Sequence, residues 1–144
     1  MLRAVAALVA AVVMAMAPTA PAGAGALAGS APAVEPHPGW GSVHSADGVL
    51  KRGCRSYRFT YEVTPPDDGY WDLAVSVVGP SGRTLFFGYV PEGSPRSGTA
   101  SYRLCRSKTR PGRFKLKAVV TVMDSNDVVQ GRLKTAKFRL RNPR

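Results

Sequence analysis

Residues 105–117 read CRSKTRPGRFKLK, in which six of thirteen side chains are basic and none is acidic. Cations at this density can hold phosphate, sulfate or carboxylate groups, but alone they make and break no bonds. The other reactive side chains do not supply that chemistry. The only histidines are His37 and His44, both upstream of the periodic part of the chain. A serine nucleophile needs a base held beside it, and no histidine follows His44. Asp67, Asp68 and Asp72 cluster around the turn PPDDG. Two opposed carboxylates can act as an acid and a base, and turn oxygens can take calcium. Adjacent aspartates in a Pro/Gly turn are read here as turn formers, without an EF-hand spacing to support calcium. GPSG at 79–82 lies between two strand patterns, not before a helix, so it is not a phosphate-cradling loop. The expectation is a chain that is not an enzyme and uses no cofactor and no metal.

The charge is unevenly placed. The chain carries a net charge of +11. Residues 23–102 hold six basic and seven acidic side chains, whereas residues 103–144 hold thirteen basic and two acidic. Such asymmetry points to a polyanion or a membrane surface as partner.

The beginning of the chain says where that partner would be met. Arg3 precedes an apolar stretch over 4–17, followed by small-residue cleavage patterns such as Ala20-Pro21-Ala22 and Ala26-Leu27-Ala28. This pattern predicts a secretory signal peptide over 1–28, cleaved within about 22–28. The alternative, an uncleaved anchor, is disfavoured because the stretch is short for a bilayer. Export gives the two cysteines a meaning. Cys54 and Cys105 have no metal-ligand company and form no Cys-x-x-Cys motif, so a disulfide is expected. The mature protein is expected outside the cell, without a transmembrane segment. Its partner would be an anionic envelope polymer, an acidic glycan or an acidic protein, with nucleic acid a weaker version.

The elements that must position these residues show a period of two. Tyr57, Phe59, Tyr61 and Val63 alternate with polar residues, as do Trp71, Leu73, Val75 and Val77. Phe114, Leu116, Ala118, Val120 and Val122 form one face of a long strand, and Ala136, Phe138 and Leu140 one face of the last. Residues 82–90 and 97–104 read as strands with less clean alternation, and a short strand is expected near Val49-Leu50. Residues 29–47, rich in Pro, Gly and Ala, read as a flexible linker before a domain over 48–144. Six or seven short strands with turn residues between them predict an all-β, antiparallel sandwich.

The stretch PGRFKLKAVVTVMDSNDVVQGRLKTAKFRLR resembles the last two strands of bacterial immunoglobulin-like domains, including the PKD-like kind. Pro111, Gly112, Phe114, Leu116, Val120, Val122, Asp124, Ser125 and Asn126 carry the likeness, over about 30 of 144 residues. The resemblance implies an immunoglobulin-like sandwich and a spacer, adhesion or binding role. It also implies that 53–63 and 97–104 are antiparallel neighbours, which would bring Cys54 and Cys105 together at one end of a sheet.

Counting back from a tight turn at Ser125-Asn126 sets the register of the last hairpin. Lys117 falls opposite Lys134, and a change of apolar phase predicts a bulge near Lys134-Thr135. Beyond it, Lys137 meets Lys115, Phe138 meets Phe114 and Arg139 meets Arg113. The expected polyanion-binding set is Arg113, Lys115, Lys117, Lys134, Lys137, Arg139 and Arg141, with Asp72 on the next strand a partial neutraliser. Phe86, Phe87 and Tyr89 occupy both phases of one strand and, with the proline-rich loop at 91–98, are a second candidate surface for a protein partner or an inhibitory contact; the alternative is burial of these rings by that loop or by the N-terminal segment. The alternatives are a basic face that is merely solvated and a purely structural domain.

Overall fold

The structure, a computed structural model, describes residues 34–66, 69–123 and 127–143. The expected signal peptide, the Asp67-Asp68 pair and the Asp124–Asn126 turn therefore lie outside the described residues. What is described is all-β, with one 3-10 turn, in two sheets.

The smaller sheet joins β2 (Gly41–His44), β4 (Cys54–Val63) and β7 (Ser97–Cys105) in antiparallel pairs. The larger is organised around one long strand, β8 (Gly112–Met123). On one side β8 pairs with β5 (Tyr70–Val78), which pairs in turn with β6 (Thr84–Val90). On its other side the two halves of β8 take different partners. Its first half pairs with β10 (Ala136–Arg141) and its second with β9 (Val128–Arg132). Two short strands complete the sheet in parallel, β1 (Glu35–Pro36) on β9 and β3 (Gly48–Val49) on β10. The larger sheet is thus mixed, so the fold is not wholly antiparallel as the turn spacing suggested.

Alternation explains the strands. Along β8, Phe114, Leu116, Ala118, Val120 and Val122 are buried while Arg113, Lys115 and Lys117 are exposed. The buried phases of both sheets meet in one core, with Leu73, Val63, Phe114 and Leu116 fully buried. Tyr102 of β7 joins the sheets. Its ring lies 5.8 Å from Tyr57 and 6.2 Å from Phe59 in its own sheet, and 6.1 Å from Phe86 and 6.0 Å from Phe138 in the other. The turn between β5 and β6 has the predicted chemistry. Gly82 N–H donates to Gly79 C=O at 3.0 Å, and Gly82 takes φ +80°, a conformation suited to glycine.

The segment read as a flexible linker is built into the sheets from Glu35 onward. β1 adds to the larger sheet, the 3-10 turn Pro38–Trp40 makes a corner, and β2 adds to the smaller sheet. The prolines misled the reading, because proline cannot donate inside a sheet but is tolerated at an edge. Pro36 sits at such an edge, and the flanking His37 N–H donates to Arg132 C=O at 2.9 Å.

Candidate functional site

The ladder between β8 and β10 has the expected register. Lys115 lies opposite Lys137, Phe114 opposite Phe138, and Arg113 opposite Arg139. The phenylalanines face inward and stack with centroids 5.4 Å apart. The four cations face outward and are exposed. Like charges placed directly opposite destabilise a sheet, by some tenths of a kcal/mol per pair in order of magnitude.

The interruption in this ladder is where the phase changed in the sequence. β9 pairs down to Arg132 with Val119, and β10 resumes at Ala136 with Leu116. Lys134 is exposed within the break, so it is not a ladder partner of Lys117. Lys117 instead faces Ser76 of β5. Arg141 is exposed at the end of β10, beside Val49 in the parallel ladder with β3. Among the described residues, Arg113, Lys115, Lys117, Lys134, Lys137, Arg139 and Arg141 have no side-chain hydrogen bond or ion pair.

Two acids lie near the face, and only one of them is close enough to offset part of its charge. Asp72 lies opposite Thr121, four positions along β5 from Ser76, about 13 Å from the Lys117 row at 3.3 Å per residue. That separation exceeds the screening length of about 8–10 Å in salt. One of its oxygens, Oδ1, is buried without a hydrogen-bond partner among the described residues. Asp47 is closer: its carboxylate accepts the Arg139 backbone N–H at 2.6 Å. It lines a shallow cleft with Arg113, Lys137, Phe138 and Arg139, one acid among three cations.

A cation that the register also places on this face is Arg132, opposite Val119. It escaped the reading because Gly131 interrupts the apolar alternation of β9. Counting from the hairpin turn would have found it. Its guanidinium is used structurally, donating to Val34 C=O.

The basic loop after Cys105 is tied down at its first residue. Arg106 is half-buried and donates to Asn142 Oδ1 at 2.9 Å, and its backbone N–H reaches Gly53 C=O at 3.0 Å. Lys108 and Arg110 are exposed beside a cleft at this end of the molecule, bounded by Pro80 and Pro111.

The aromatic group divides. Phe86 turns inward and packs against the core beside Tyr102, so it is not part of an outer surface. Phe87 and Tyr89 stay outside, 57% and 63% exposed, in an edge-to-face pair with centroids 5.0 Å apart. The loop at 91–98 leaves both of them exposed.

The cysteines form the expected disulfide, between directly paired residues at one end of the β4–β7 ladder. Among the described residues there is no group of three or more His, Cys, Asp or Glu placed to hold a metal ion. Nor does any helix among them have the length and apolarity to cross a membrane. His37 stacks on Trp40 at 4.2 Å, and His44 is exposed on β2.

One perturbed titratable group lies in the core. Burial pushes the Tyr102 hydroxyl up to about 12, opposed by its hydrogen bond with Ser45 and reinforced by Tyr57. Ser45 Oγ donates to Arg58 C=O at 3.2 Å, which leaves its oxygen to accept from the Tyr102 O–H at 2.9 Å. These two hydrogen bonds satisfy both hydroxyls.

No protein-family model matches this chain, and no curated protein matches its sequence.

Proposed function

We propose that this chain is an exported, non-catalytic binding module with an immunoglobulin-like arrangement, and that it holds an anionic polymer against the outer face of its larger sheet. The immunoglobulin-like reading is supported by two sheets around one core, with β4 and β7 paired in one and β5, β6, β8 and β10 in the other. The disulfide within one sheet departs from the inter-sheet bridge of antibody domains. The export reading rests on the Arg3-led apolar stretch of the sequence.

The observation that carries the binding role is the pair of outward like-charge rungs, Lys115 with Lys137 and Arg113 with Arg139. Sheet stability alone does not select them, and a bound polyanion removes their repulsion. The other sheet serves as an internal comparison. Its outward phase includes Ser56, Thr60, Ser97, Thr99 and Ser101, with the cations Arg58 and Arg103 and the acid Glu62. A merely solvated face in this molecule is thus hydroxyl-rich and mixed in charge.

The test is binding to inorganic polyphosphate at increasing salt, comparing the native protein with a quadruple variant, Arg113→Gln, Lys115→Gln, Lys137→Gln and Arg139→Gln. The native affinity should fall steeply with salt. Removing four cations should flatten the logarithmic slope by roughly three, as counterion release at nucleic-acid phosphates would give. Equal slopes for the two proteins, with the fold intact, would rule the face out.

A further inference from the structure

The exposed aromatic pair is not a separate surface. Across the ladders, Phe87 lies opposite Ser76, and Ser76 lies opposite Lys117. Tyr89 lies opposite Ala74, and Ala74 opposite Val119. Residues directly opposite share a face, so Phe87 and Tyr89 stand on the same outer face as the cations. Only one strand separates them, which puts Phe87 about 10 Å from the Lys117 row at two strand spacings. The intervening positions, Ala74 and Ser76, are small and only half-exposed, so the space between aromatic edge and cations is low.

We propose that this face is a composite site for an acidic polysaccharide, with Phe87 and Tyr89 supporting a sugar ring while Lys117, Lys115 and Lys137 hold carboxylate or sulfate groups. This deepens the polyanion reading and rests on it. An aromatic ring has a negative face, which attracts the positively polarised C–H groups of a sugar. A flexible polyphosphate has no such ring to offer and gains nothing from the aromatics. Single-stranded nucleic acid also uses aromatics beside cations, but successive stacked bases need rings side by side. Here the two rings meet edge to face at 86°, which leaves no shared platform. Ser76 and Thr84 add neutral hydroxyls near the aromatics, suited to sugar hydroxyls.

The experiment compares polygalacturonate, inorganic polyphosphate and oligo(dT) as probes. It uses the full chain and a Phe87→Ser, Tyr89→Ser variant, which should fold because both side chains are exposed. The variant should lose about tenfold in affinity for polygalacturonate, the scale of one aromatic contact, and nothing for polyphosphate. A Lys115→Gln, Lys117→Gln, Lys137→Gln variant should weaken binding to both. Equal polygalacturonate affinity in the native and aromatic variants would overturn the composite site while leaving the polyanion reading standing. Binding of neither polygalacturonate nor polyphosphate by the native protein would overturn both. An aromatic-dependent preference for oligo(dT) over polygalacturonate would overturn the glycan assignment in favour of nucleic acid.

Discussion

Tyr102 is the residue on which the two sheets depend most visibly. It is 1% exposed, its ring touches aromatics from both sheets, and its hydroxyl ends a buried chain through Ser45 to Arg58 C=O. Its pKa, about 12 in the fold against 10.0 when unperturbed, makes stability depend on alkaline pH. Below pH 10 the hydroxyl is protonated in folded and unfolded chains alike, and the contribution is complete. Between pH 10 and about 12 the unfolded chain releases this proton and the folded one retains it, so stability falls as pH rises. Denaturant unfolding at a series of pH values should show that decline, and Tyr102→Phe should make it shallower. The same substitution should cost about 1 kcal/mol at neutral pH, because one buried hydrogen bond is lost while Ser45 keeps its bond to Arg58. Identical pH slopes in the two proteins would contradict this account.

Among the elements, the N-terminal strap formed by β1, the 3-10 turn and β2 was the hardest to read and β8 the easiest. β8 is half in the core and half in solvent, so Phe114, Leu116, Ala118, Val120 and Val122 announce its phase, and its register with β10 follows from counting. The alternation of Phe86, Phe87 and Tyr89 was ambiguous because β6 is an edge strand among the described residues, paired there with β5 alone. Assigning Phe86 inward required knowing that Tyr102 stood behind it. The strap has no alternation to read. Its placement depends on long-range contacts, chiefly the Trp40 indole lying over Gly131. A Cβ built on Gly131 would stand 2.3 Å from Trp40 Cε3 and 2.9 Å from His37 Cβ. Gly131 is therefore glycine for close approach and not for a turn. Gly131→Ala should destabilise by about 1–3 kcal/mol, as overpacking does, and should shift tryptophan emission to the red as the indole is displaced. In a Trp40→Ala background the penalty should shrink, since the colliding ring is gone. An undiminished penalty there would place the strain elsewhere.

At the scale of the whole molecule, the staple and the proposed binding face belong to different sheets. The Cys54–Cys105 bridge lies in the smaller sheet and closes a loop of sequence separation 51 that includes β5 and β6 of the larger one, and Cys54 is exposed to reductant. Chain entropy assigns such a loop roughly 4 kcal/mol of stabilisation, a large share of the 5–15 kcal/mol of an ordinary domain. Yet both sheets contribute to one core through Tyr102, so loss of the bridge should lower the denaturation midpoint in a single transition, not detach one sheet first. The proposed polyanion face lies on the outer side of the larger sheet, beyond that core. A polymer that binds only the folded chain stabilises it by an amount fixed by its concentration and affinity. If the face does not depend on the disulfide, saturating polyphosphate should raise the unfolding free energy equally in the native protein and in a Cys54→Ser, Cys105→Ser variant. A smaller increment in the variant would mean that the staple also positions the cations. That result would point to Arg106, whose backbone bonds Gly53 beside the disulfide and whose guanidinium reaches Asn142 just past β10, as the link between them.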